Sequence, residues 1–165
     1  MYRRDSANYY DKQFGFALDK ISNSDCRFHA IYFVDSFSGS LLLSKRYTAK
    51  SSLLSEDLIS NFLIALNLFI KEINEDTDEE IQDINFRETR ILYERRGRLI
   101  VIAITKKTNL QIERGILQEI VEDFYIKYKN YINTFKGIID PALLKYKEKL
   151  ERMNLNSFFK LKINF

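Results

Sequence analysis

His29 and Cys26 are the only histidine and cysteine in the chain, so any nucleophilic or metal chemistry built on those residue types must use them. A Cys-His or Ser-His-Asp site needs the nucleophile within hydrogen-bond reach of the base, and a third group to orient the base. His29 falls in an apolar run that reads as a strand, where side chains alternate between faces, and no orienting group is evident beside it. A structural role for His29 is the expectation. One histidine and one cysteine are also too few ligands for a zinc site. The acidic run Glu75-Asp76-Thr77-Asp78-Glu79-Glu80 lacks the alternating ligands and central glycine of an EF-hand loop, and reads as a solvated connection. No G-x-x-x-x-G-K-(Ser/Thr) phosphate loop occurs. The residues therefore predict a chain that is not an enzyme and takes no metal or cofactor.

Recognition chemistry is better represented. Around Ser55 to Asn74, Ile59, Phe62, Leu66, Phe69, Ile70 and Ile73 recur at helical spacing and predict a stripe packed on a core. At about 100° per residue, Ile64 and Leu68 fall opposite that stripe, beside Asn61, Lys71 and Glu72. A helix covering a sheet should be polar there. Two apolar residues at i and i+4 with a polar rim read as a partner-binding surface. Packing beneath the N-terminal segment or the C-terminal tail explains them equally well. Arg95, Arg96, Arg98, Lys106 and Lys107 sit at the ends of a predicted hairpin and suit an anionic lipid surface or an acidic partner. Ordinary solvated hairpin ends account for them as readily, since edges often carry such charges.

These groups need a scaffold, and the turn residues mark it. Gly39 lies in Asp35-Ser36-Phe37-Ser38-Gly39-Ser40 between the apolar runs 28–34 and 41–47, a hairpin signal. Gly97 separates 90–95 from Leu99-Ile100-Val101-Ile102-Ala103-Ile104, a second hairpin whose last strand is apolar on both faces and reads as central. A weaker strand at 81–87 precedes it. Helices are predicted near 55–74, with Ser55 as N-cap, and near 110–132. A third opens at Asp140-Pro141, where proline suits the first turn, and ends near Met153. Tyr10, Phe14, Ala17, Leu18 and Ile21 suggest a short amphipathic helix before the first strand. Residues 154–165 carry apolar side chains without a clear period, and are expected to pack back or to form a flexible arm. The expected fold is α/β (α+β): a five-stranded, mostly antiparallel sheet with helices packed on it, in the order (α)-β-β-α-β-β-β-α-α. Residues 1–27 are an amphipathic extension, 28–153 the domain and 154–165 a tail.

Composition narrows the class. A chain of 165 residues, 45% hydrophobic and 30% charged, suits one globular domain. Lys+Arg number 26 against 23 Asp+Glu, for a net charge of +3, too balanced for a dedicated nucleic-acid binder, which neutralises several phosphates. The single cysteine makes no intrachain disulfide, the first residues lack a signal-peptide apolar run, and no stretch approaches the length of a membrane span. A cytoplasmic protein is expected, with peripheral association with a membrane also in view.

The element order and several segments resemble the longin superfamily, which includes longin domains of trafficking proteins and the small subunits of clathrin adaptors. Ile31-Tyr32-Phe33-Val34-Asp35 with Leu41-Leu42-Leu43-Ser44-Lys45-Arg46-Tyr47 resembles that family's opening hairpin. Phe62-Leu63-Ile64-Ala65-Leu66-Asn67-Leu68-Phe69 resembles its first helix, and Phe86 to Arg95 its third-to-fourth strand passage. Phe124-Tyr125-Ile126-Lys127-Tyr128 is similar to the pattern of its long second helix. The resemblance implies a docking module that uses the first helix and adjacent sheet edge, with a small GTPase as leading partner and homo- or heterodimers in view. No coiled-coil helix of the fusion-driving kind follows residue 153, so membrane fusion is not implied. The leading amphipathic segment also brings the order close to the roadblock fold, a dimerising GTPase regulator. A small enzyme with a site assembled only by tertiary structure is the third alternative.

Overall fold

The computed structural model describes residues 27–47, 56–73, 80–153 and 155. Two hairpins and one short strand build the sheet. Strand β1 (Phe28–Asp35) turns into β2 (Leu41–Arg46), helix α1 (Glu56–Ile73) follows, and β3 (Asp83–Asn85), β4 (Thr89–Arg96) and β5 (Leu99–Lys106) complete the set. Helix α2 (Leu110–Asn133), a 3-10 turn (Pro141–Leu143) and helix α3 (Leu144–Met153) close the described chain. The strands lie in the order β2-β1-β5-β4-β3, all neighbours antiparallel. The expected α/β class is observed, and from β1 onward the five strands and the helices of the described residues follow the expected order. The predicted N-terminal helix, Cys26, the Ser55 cap, most of the acidic run and the tail beyond Leu155 fall outside the described residues.

The centre of the sheet is where its sequence is apolar on both faces. Register pairs Ile31 with Ala103 and Phe33 with Val101, while Tyr32 faces Ile102, which in turn faces Tyr93. Phe28, Ile31, Phe33, Leu43, Leu92, Leu99, Val101 and Ala103 form the main core with α2 and α3. Ala30, Tyr32, Val34, Tyr93, Ile100 and Ile102 form a second cluster from the alternate positions of the same strands. Phe33, Phe124, Tyr128 and Tyr146 interlock in the main core, with Phe33 and Phe124 ring centroids 4.4 Å apart and Tyr146 edge-on to Phe124 at 4.8 Å.

The element ends follow local chemistry. Asp35 ends β1 by accepting from the Ser38 amide (2.9 Å) and hydroxyl (2.6 Å), while Gly39 turns the chain at a φ of 71°. Gly97, at a φ of 57°, makes the short turn between β4 and β5. The Asn109 side chain caps α2 through the Ile112 amide, and Asp140 caps the 3-10 turn through the Ala142 amide. The long second helix is interrupted at Tyr128, which has non-helical backbone angles. No helix among the described residues is long and apolar enough to cross a membrane.

Candidate interaction surfaces

Helix α1 makes its principal contact with the edge strand β2. It also meets the turn before that strand: a Cβ built on Gly39 would lie 2.2 Å from Ile64 Cδ1, so glycine is what lets this side chain rest on the turn. Ile64 thus leans on the hairpin and remains 39% exposed. Leu68 is 59% exposed, and Asn61 and Glu72 stand in solvent beside it. Lys71 belongs to the same helix, with its side chain outside what is described. Of the expected core stripe, the side chains of Ile59, Ile70 and Ile73 lie outside what is described, and the three that are described are not buried. Phe62 is 43% and Phe69 59% exposed, Leu58 is exposed with them, and Leu66 is only half-buried. The described contacts of α1 are with the edge strand β2 and the turn before it, and these side chains lie away from them. Two apolar strips therefore face solvent, Leu58/Phe62/Phe69 and Ile64/Leu68.

The basic residues do not form one surface. Arg95, Arg96 and Arg98 lie at the β4–β5 turn, whereas Lys106 and Lys107 lie at the opposite end of β5. Three of them also have carboxylate partners. Arg95 pairs with Glu80 at 2.7 Å, and Arg96 with Glu122 at 3.3 Å while stacking over Tyr125. Arg98 grips the fully buried Asp35 through Nε (2.8 Å) and Nη2 (3.0 Å) and donates to the Phe135 carbonyl (3.3 Å). Its guanidinium also lies 4.5 Å from the Phe37 ring, itself largely exposed. Burial pushes the Asp35 carboxyl up, but Arg98 and both Ser38 donors pull it further down, so it rests below the usual carboxylate value. Arg98 is a structural clasp joining two turns and the end of α2.

Two other polar networks escaped sequence reasoning. Glu113 is fully buried and accepts from Thr108 Oγ1 (2.5 Å), Thr105 Oγ1 (3.2 Å) and Arg90 Nη1 (3.2 Å). Its carboxylate ties α2 to β4 and β5. Arg114 bridges Glu94 (3.1 Å) and Asp83 (3.0 Å), fixing the short β3 to the helix. The sequence hints at Glu113 only through its helical spacing with the apolar Leu117, Ile120, Val121 and Phe124. His29 lies in β1, where its carbonyl accepts from the Tyr47 amide at 2.9 Å. Tyr93 Oη is buried without a hydrogen-bond partner, and burial raises that phenol. No group of three or more His, Cys, Asp or Glu side chains that could hold a metal ion occurs among the described residues.

Two shallow grooves lie among the described residues. One runs between β2 and α3, lined by Leu41 to Ser44, Leu144 and Lys147. The other lies beside the loop after α2, between Tyr131, Phe135, Ile138 and Pro141, where Ile138 is 81% exposed. Compared with known proteins, the chain matches no family model, and no curated sequence is significantly similar to it.

Proposed function

We propose that this chain is a non-catalytic docking module of the longin type, serving as an adaptor or regulatory subunit with a small GTPase as its leading partner. Its setting in this reading is the cytoplasm, in membrane-trafficking-like assemblies. The observation that carries the reading is α1, which keeps Leu58, Phe62, Ile64, Leu68 and Phe69 exposed on a helix attached at a sheet edge. Fully burying one such side chain is worth roughly 1.5–3 kcal/mol, a gain the fold leaves unused and a partner would collect. Asn61 and Glu72 supply a polar rim next to Ile64 and Leu68. The element order supports the reading by agreeing with the order the sequence resemblance implies. A helix of this kind suits either a groove on the partner or the matching helix of a second longin-type chain.

The test is size-exclusion chromatography with light scattering, on the chain alone and mixed with small GTPases of the same genome. Co-elution with one of them, lost in Leu68→Asp while the circular dichroism spectrum is retained, is the expected result. A variant that still binds as tightly as the parent chain removes α1 from the interface.

A further inference from the structure

Two turns at one end of the sheet hold apolar side chains out into solvent. The loop after α2 turns at Gly137, at a φ of 95°, and presents Ile138 and Ile139, both exposed. It is firmly built. The Tyr131 hydroxyl donates to the Ile138 carbonyl at 2.7 Å and accepts from the Asp140 amide at 3.0 Å, so the backbone on either side of Ile139 is fixed to α2. Arg98 donates to the Phe135 carbonyl just before this loop, and its guanidinium lies against the largely exposed Phe37 of the β1–β2 turn. Arg98 thereby ties the turn that carries Phe37 to the loop that carries the two isoleucines.

The charge around the loop has one sign. From 129 to 147 the chain carries Lys129, Lys136, Lys145 and Lys147 against Asp140 alone, whose carboxylate is engaged by the Ala142 amide at 2.8 Å. Lys129, Lys136 and Lys145 stand in solvent. The buried Asp35 nearby is already matched by Arg98. We propose that this end of the molecule docks on an anionic lipid bilayer, with Phe37, Ile138 and Ile139 entering the interfacial layer and the lysines meeting the head groups. The inference uses no residue of α1 and is independent of the proposed function. A protein partner gathers apolar area from one continuous patch, whereas here single side chains project from two separate turns, a shape that fits between head groups. Lysine stems can lie along the apolar layer while their ammonium groups stay among the phosphates. Each lysine close to an anionic bilayer strengthens binding about fivefold.

Vesicle co-sedimentation of the full chain tests this, with phosphatidylcholine alone and with about one-third phosphatidylserine. No GTPase is present, so the outcome is separate from the α1 test. The expected result is binding to the mixed vesicles that weakens with added salt, and little binding to phosphatidylcholine alone. Ile138→Asp/Ile139→Asp is expected to lower the affinity by about tenfold or more, with the circular dichroism spectrum retained. Lys136→Glu/Lys145→Glu is expected to lower it by about 25-fold or more. The chain has no tryptophan, so Ile138→Trp supplies a single reporter that does not depend on how well the aspartate variant folds. Its emission should shift to the blue on the mixed vesicles. Absence of vesicle binding, as for a surface that takes an acidic protein instead, overturns the proposal. Equal binding to both vesicles, unchanged binding in the isoleucine variant, or a tryptophan that stays in water while the chain sediments also rejects it.

Discussion

Asp35 and Glu113 are both fully buried carboxylates, each held by an arginine, with one hydroxyl donor on Asp35 and two on Glu113. Removing one partner of such a pair leaves a charge stranded in the interior. Arg90→Ala is expected to destabilise the fold by about 3 kcal/mol, read by urea denaturation, because Glu113 keeps two hydroxyl donors but loses its counter-charge. For Asp35 the signature is pH. Its folded carboxyl sits below the unfolded value of 3.8, so the folded state binds fewer protons in that window. The stabilisation is complete above about pH 4 and is lost as pH falls through the lowered folded value. Thermal melts of Arg98→Met should show a shallower decline of melting temperature between about pH 5 and 2 than the parent chain, where that proton linkage operates. Neither pair was legible in the sequence. Asp35 read as turn chemistry, which it is, and Arg98 as a surface charge, because no local pattern announces a partner 63 positions away.

At the scale of elements, helices and hairpins were legible where their pattern is local. The predicted helix 110–132 is observed as 110–133, and both hairpins turn at the expected glycines. The seating of α1 was not legible. Periodicity identifies the apolar side of a helix but not what lies beneath it, and the described contacts of α1 are with the edge strand β2 and the β1–β2 turn. Gly39 is one contact point of that seating, against the flexible end of the Ile64 side chain. Gly39→Ala introduces a left-handed strain of roughly 1–2 kcal/mol and drives a methyl into Ile64. Amide exchange in α1 is expected to accelerate in this variant while β5 exchange follows only the global change. An α1 that exchanges as in the parent chain would mean the Gly39–Ile64 contact does not hold the helix.

Among the described residues the buried centre of the sheet contrasts with more exposed elements at its edges. β1 and β5 are buried on both faces, and α2 and α3 close one side of them, whereas α1 and β3 sit at the edges. Native-state exchange in low denaturant should resolve these tiers: β1 and β5 amides exchanging only with global unfolding, α1 amides by local opening that denaturant barely affects. That outcome would place the candidate binding helix in the part of the described structure with most freedom to adjust to a partner. The central pairing has a further consequence, for the history of each newly made copy. β1 is synthesised first, but the strand that completes it is β5, with Ile31 waiting for Ala103. At ordinary elongation rates that interval lasts on the order of several seconds. Throughout it the β1–β2 hairpin, with Tyr32, Phe33 and Leu43 uncovered, is exposed to chaperones and to neighbouring nascent chains. The β4–β5 hairpin, closed by a short turn at Gly97, pairs locally as soon as it emerges, so the rate of folding is set by when β1 finds it.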